Sequence, residues 1–312
     1  MPHAQTVRGE IDPSELGVTL PHEHTQIALW HIADRWDYWQ LTRDEPVILE
    51  ELGAFRNAGG GTLVDLTLVG VGRDPGWLRT LSERSGLNLV MGCGWYRTAY
   101  YPPEALIDRR TADDLAAELI REITDGVGDT GIRPGIIGEI GTDKPWLTGQ
   151  EERVHRAAAR AAKATGLAIT THAVLSDVGR AQLRVFEEEG VDPARVVIGH
   201  ADSYPHLDHY LSIIETGASV EFDFLGMSFS AVERLGEGRV IDLLLELLSR
   251  GHAERLLLSQ DVCHDSQLRR YEGHGYTYLA ETFLPRLRAR GVSDAEIRTL
   301  TVDNPRRLLT IG

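Results

Sequence analysis

The chain has 312 residues, and 32 Lys and Arg against 47 Asp and Glu leave a formal net charge of −15, which excludes a phosphate-backbone binder needing a basic face. A hydrophobic share of 42% with 25% charged residues excludes a disordered chain. No run of ~18 apolar residues reads as a membrane span, the start Met1-Pro2-His3-Ala4-Gln5 lacks a signal-peptide pattern, and two cysteines, Cys93 and Cys263, make neither a disulfide framework nor a thiolate metal cage, so a cytoplasmic protein is expected.

In chain order, eight short β-rich runs are each followed by a helical pattern. They are 17–24 (GVTLPHEH), 61–67 (GTLVDLT), 87–95 (LNLVMGCGW), 135–141 (GIIGEIG), 167–173 (LAITTHA), 196–201 (VVIGHA), 218–224 (ASVEFDF) and 255–261 (RLLLSQD). Several are near-continuous apolar runs, as parallel strands covered by helices require. Between them, Thr148-Gly-Gln-Glu151 and Ser293-Asp-Ala-Glu296 fit capping boxes, and Gly166, Gly190, Gly217, Gly251 and Gly291 each follow a helical pattern as C-terminal caps. No linker or composition break divides the chain, so 1–312 reads as a single domain. Strand then helix, about eight times, predicts an α/β fold: a (β/α)8 TIM barrel with its active site at the C-terminal ends of the strands. The absence of a Gly-x-Gly-x-x-Gly turn after the first strand weakens the dinucleotide-binding alternative.

Three loops after strands are long: the first (25–44, with Trp30, Trp36, Tyr38 and Trp39), the seventh (225–238) and the eighth (262–276, with His264 and Gly273-His274-Gly275-Tyr276). The aromatic cluster of the first suits a lid or substrate wall, or else a hydrophobic plug or subunit contact.

Six residues near strand ends carry the chemistry: His22, His24, Glu139, His172, His200 and Asp261. Alternate residues of a strand face the same way, so His22 and His24 both point to the barrel mouth while Glu23 does not. Spacings of 28 between His172 and His200 and 61 between His200 and Asp261 match about one and two βα units of roughly 30 residues. A single barrel histidine is more often a hydrogen-bonded core residue. Four imidazoles and two carboxylates on one rim are a donor set for Zn²⁺ or Mn²⁺. His3, His31, His155, His206, His209 and His252 read as surface or helix positions, and Cys263 as a small packed residue.

His22-Glu-His24, Gly138-Glu-Ile-Gly-Thr142, Thr171-His172, Gly199-His200 and Ser259-Gln-Asp261, with the terminal Asp303-Asn-Pro-Arg-Arg-Leu-Leu309, resemble the phosphotriesterase family of the amidohydrolase superfamily through essentially the whole chain. The resemblance implies two divalent cations per chain, Zn²⁺ ahead of Mn²⁺ or another transition metal. His22, His24 and Asp261 would hold the more buried ion, His172 and His200 the more exposed one. The best-known members bridge the pair with a carboxylated lysine; here that place holds Glu139, already a carboxylate, and Lys144 lies five residues on. This glutamate and Tyr271-Glu-Gly-His-Gly-Tyr276 resemble a phosphotriesterase-related subgroup.

The implied reaction is hydrolysis. A hydroxide shared by the cations attacks a small carboxylic amide or lactone, and Asp261 takes the water proton; phosphotriester cleavage is weak or incidental. Tyr96, Arg97, His264 and His274 are candidate substrate contacts: Tyr96 for a leaving or carbonyl oxygen, Arg97 for a carboxylate, sulfonate or phosphate. The competing readings are a lactonase or phosphotriesterase proper, a mononuclear metal-dependent lyase or isomerase, and a non-catalytic small-molecule-binding barrel. A homodimer is compatible with the first-loop aromatics, and no nucleic-acid or membrane partner is expected.

Overall fold

A computed structural model describes residues 1–31, 39–227 and 236–312; Trp36, Tyr38 and much of the seventh loop lie outside the described residues. All eight expected strands are present: β1 Val18–Glu23, β2 Gly60–Asp65, β3 Asn88–Cys93, β4 Ile136–Gly141, β5 Ile169–His172, β6 Val196–Ile198, β7 Ser219–Phe222 and β8 Leu256–Leu258. They form one parallel sheet in sequence order. Helices follow them: α1 Glu45–Asn57, α2 Pro75–Ser85, α3 Ala112–Asp125, α4 Gly149–Thr165, α5 Gly179–Glu188, α6 Leu207–Ile214, α7 Glu237–Ser249 and α8 Leu284–Ala289. The fold is the expected TIM barrel. No described helix is long and apolar enough to cross a membrane.

The two ends of the sheet meet at a seam closed largely by side chains. Asp261 N–H donates to the His22 carbonyl (3.2 Å). The Glu23 carboxylate, turned away from the mouth, accepts from Ser259 Oγ (2.7 Å), Gln260 N (2.9 Å) and Val262 N (2.8 Å). Inside the barrel, Val64, Val90, Ile136, Ala168, Val197 and Leu257 form one core with Ala4, Leu16, Leu308 and Leu309, which plug its N-terminal end. Residues of the opposite parity, such as Leu63, Leu89, Ile137, Ile169 and Ile198, pack outward beneath the helices.

Thr148 and Ser293 both make the expected capping boxes, and Gly166 ends α4 at φ +77°. The terminal segment is fastened by Asn304, whose amide donates to the Ala253 and Leu256 carbonyls (2.8 and 2.7 Å) at the start of β8.

His155, on α4 as expected, is fully buried, stacks on Phe186 of α5 and bonds through Nδ1 to the Glu151 carbonyl (2.7 Å). Burial pushes its pKa down to about 4 from the usual 6.5. The unfolded chain takes a proton that the folded state refuses. Stability from this residue is therefore complete above 6.5 and lost as pH falls through 6.5 towards 4, by about 3 kcal/mol. His155→Gln keeps a donor and removes the titration. Denaturant unfolding at about pH 7.5 and about pH 4.5 should show a pH dependence roughly 2–3 kcal/mol shallower in the variant; parallel curves would contradict this.

Candidate metal centre

The six predicted residues do not reach the mouth by regular alternation alone. Counting by twos from the inward Ile136 arrives at Gly138 and Ile140, yet Ile140 packs outward and Glu139 faces the centre, because the pairing of β4 with β5 slips between Ile137 and Ile140. A similar irregularity in β1, between Leu20 and Glu23, separates the outward Leu20 from the inward His22. Counting from Val197 arrives at Gly199; His200 is turned in by a left-handed backbone, φ +54°. Such kinks re-aim side chains at strand ends. Glycine is required just before two of these residues: a Cβ at Gly138 (φ +123°) would strike the Thr170 carbonyl, and one at Gly199 the Thr171 carbonyl.

All six side chains are buried and converge. Glu139 Oε2 lies 2.8 Å from His172 Nδ1, 3.2 Å from His200 Nε2 and 3.6 Å from His22 Nε2, while its Oε1 lies 3.6 Å from His24 Nε2. Asp261 Oδ1 is 3.2 Å from His24 Nε2. Four overlapping donor sets result among the described residues, each within 4.8 Å: His22–His24–Glu139, Glu139–His172–His200 and His22–His200–Asp261 from these six, and His22–Glu221–Asp223. Glu139 belongs to the first two, so one carboxylate lies between two sets.

The residues fit divalent cations. His22 Nε2 and Asp261 Oδ1 are buried without a hydrogen-bond partner, although both face the cluster. Leaving such atoms unsatisfied is costly unless a ligand completes them. Imidazole with carboxylate is the donor chemistry of zinc and related metals.

The tautomers are set from behind. His24 Nδ1 meets Thr67 Oγ1 (2.9 Å), which spends its own hydrogen on the Gln26 carbonyl (2.7 Å). Nδ1 must therefore be the donor, which leaves the Nε2 lone pair facing the centre. Asp223 does the same for two histidines: Oδ2 is 3.1 Å from His22 Nδ1, Oδ1 is 2.8 Å from His200 Nδ1, and Oδ2 also accepts His200 N–H (2.9 Å). Glu221 Oε2 adds a second carboxylate 3.4 Å from His22 Nδ1.

Burial opposes charge on His22 and His200, but Asp223 prevails, with Glu139 at His22: the first is held well above its ordinary value, the second up at about 10. His172 goes the other way, to about 4, through burial and the neighbouring His200 charge. Glu139 stays ionised despite burial because His172 and His22 face it. Protons thus sit where cations would, and cation affinity should rise with pH.

Sequence reasoning missed Asp223 and Glu221. Their signal was available: two carboxylates at i and i+2 in ASVEFDF repeat the spacing of His22 and His24, between apolar neighbours.

The predicted substrate contacts fare unequally. The Tyr96 hydroxyl lies 3.2 Å from His172 Nδ1, and burial keeps the phenol neutral. The buried Arg97 guanidinium lies over the rings of Tyr96 (4.6 Å) and Tyr100 (4.9 Å), with Asp143 at 3.8 Å. His264 is outside the donor sets: its Nδ1 accepts Ser266 N–H (3.1 Å) and caps the turn Asp265–Gln267. His274 is exposed beside Tyr278, 4.8 Å between rings. Its neighbour Tyr276 is the buried one, donating to the His24 carbonyl (2.5 Å). Lys144 is half exposed and pairs with Asp143 at 3.4 Å. Cys263 is a buried free thiol, its pKa pushed up by burial.

The chain belongs to the phosphotriesterase family, which it matches over residues 2–309. An N-acetyltaurine hydrolase of Dictyostelium discoideum is 33% identical over 363 aligned positions, 98% of this chain and 97% of that protein. The crystal structure of the phosphotriesterase homology protein of Escherichia coli, complexed with phosphate in its active site, superposes with a TM-score of 0.89 at 34% identity, over 96% of this chain and 100% of that one. A lactonase from Listeria monocytogenes superposes with a TM-score of 0.91 at 25% identity, covering 99% of each. With this membership and the donor cluster, the chain is a metal-dependent hydrolase.

Proposed function

We propose that the chain hydrolyses small carboxylic amides of the N-acyl type, with two divalent cations, Zn²⁺ by preference, which His22, His24, Glu139, His172, His200 and Asp261 would hold. The observation that carries this reading is the place of Glu139 in two donor sets at once; a mononuclear lyase or isomerase site has no use for a shared carboxylate. When bound, such cations bring the pKa of a water to near 7 and polarise the scissile carbonyl.

The chain's own residues do the rest. Asp261 Oδ1, buried and without a hydrogen-bond partner, accepts the proton of the attacking water and returns it to the leaving nitrogen. The neutral Tyr96 phenol, beside His172, donates to the substrate oxygen. Arg97, steadied by two aromatic rings and Asp143, binds an anionic end of the leaving group. The Dictyostelium relative, whose name specifies an acylated aminosulfonate, supports this order of substrates. The Listeria lactonase favours lactone opening as the second reading.

A panel of N-acyl taurines, N-acyl amino acids, lactones and a phosphotriester, assayed with Zn²⁺ or Mn²⁺, tests the proposal. Amides should be cleaved best; fast lactone opening without amide cleavage would reverse the order, and one metal per chain at full activity would favour the mononuclear reading. Arg97→Gln should raise KM for anionic amides by about 10- to 100-fold while leaving neutral lactones nearly unchanged. An equal rise for both would remove Arg97 from anion recognition.

A further inference from the structure

Asp261 sits in a left-handed backbone conformation, φ +47°, which is uncommon outside glycine and costs free energy that neighbouring contacts must offset. We infer that Gln267 is a positioning residue for Asp261, and that the Asp265–Thr42 contact clamps this arrangement to the first loop. The inference rests on the proposed role of Asp261.

All three side-chain bonds of the buried Gln267 fall on residues 261–264. Nε2 donates to the Asp261 carbonyl (3.1 Å), while Oε1 accepts from Cys263 N (2.8 Å) and His264 N (2.9 Å). One amide therefore brackets the turn that aims Asp261. Gln267 ends the short turn Asp265–Gln267, which Asp265 begins. The Asp265 carboxylate accepts from both Thr42 N and Thr42 Oγ1, each at 2.7 Å.

Thr42 follows directly on the strand Gln40–Leu41, which pairs antiparallel with Ile27–Ala28 to make the hairpin of the first loop. The other foot of that hairpin is tied down by Ala28 N–H on the Val71 carbonyl (2.9 Å), and Trp39 lies on it, its carbonyl accepting Leu29 N–H (2.8 Å). A path thus runs from the strand Gln40–Leu41 by hydrogen bonds from Thr42 to Asp265, by the chain of the turn from Asp265 to Gln267, and by a hydrogen bond from Gln267 to the Asp261 carbonyl.

The Gln267 bonds are buried and the Thr42 bonds exposed, so the effects should be graded. Gln267→Glu keeps the acceptor but opposes the Asp261 carbonyl with a second oxygen; kcat should fall about 100-fold with KM little changed. Asp265→Ala should lower kcat about 10-fold and Thr42→Val a few-fold, whereas Thr42→Ser, which preserves both bonds, should restore wild-type turnover. Because Thr42 acts through Asp265, the double variant should be no slower than Asp265→Ala alone.

Amide exchange in the metal-free protein reads the same clamp without turnover: residues 261–264 should exchange faster in Gln267→Glu and Asp265→Ala, with Ile136–Gly141 unchanged. Wild-type exchange at 261–264 in Asp265→Ala overturns the clamp, as does additivity of Thr42→Val with Asp265→Ala. Wild-type kcat in a folded Gln267→Glu overturns the positioning role. Failure of the proton-acceptor reading would appear separately, as turnover retained by Asp261→Asn with the exchange result intact.

Discussion

Asp261→Asn should lower kcat by about a thousandfold while leaving most of the bound metal in place. The asparagine side chain keeps an oxygen where Asp261 Oδ1 stands, 3.2 Å from His24 Nε2, and the imidazoles around it are untouched. What it loses is the capacity to take a proton. Asp261 suits this task because the backbone around it, not its carboxylate, carries the fixing bonds: Asp261 N–H on the His22 carbonyl and Gln267 on the Asp261 carbonyl. One carboxylate oxygen is left without a hydrogen-bond partner inside the cluster. The measurement pairs metal analysis with steady-state kinetics on the best amide of the panel. Near-wild-type turnover with full metal would remove Asp261 from proton transfer; loss of metal in proportion to activity would make it a ligand only.

The barrel was legible because its strands are buried on both faces and therefore read as short apolar runs, with helices whose ends carry their own punctuation. Thr148 and Ser293 are local signals obeyed locally. The candidate site was legible only in part by periodicity. His22 and His24 share a face, but Glu139 and His200 arrive at the mouth through a register slip and a positive φ that no two-residue period contains. Recognising them required the motif around each, with its preceding glycine.

Asp223 escaped because its meaning lies in partners remote from it: His200 is 23 residues away, and His22 stands on the opposite side of the chain's order. Gln267 escaped for a related reason, since its bonds are to backbone, which carries no residue identity. His264 and His274 were attractive by composition and adjacency. One is engaged with Ser266 and the other faces outward, with Tyr276 the residue that reaches under His24.

Glu139→Gln should have the widest effect of any single substitution in the chain, reducing bound metal from about two to one or fewer per chain and kcat by a thousandfold or more. Four imidazole nitrogens lie within 3.6 Å of this one carboxylate. Its negative charge is what holds them together when protons occupy the site, and under the proposed two-metal reading it would offset the repulsion between the cations. The amide replaces one acceptor oxygen by a donor nitrogen aimed at lone pairs that face inward, so it removes attraction and adds conflict at the same point. The loss should appear first in metal titration by equilibrium dialysis, independent of any substrate. Glu139→Asp separates charge from reach: it preserves the anion on a stem one carbon shorter, so part of the metal binding should survive while turnover remains low. Two metals per chain retained by Glu139→Gln would show that the histidines and Asp261 suffice to hold the pair, and the shared-carboxylate account of this centre would then be wrong.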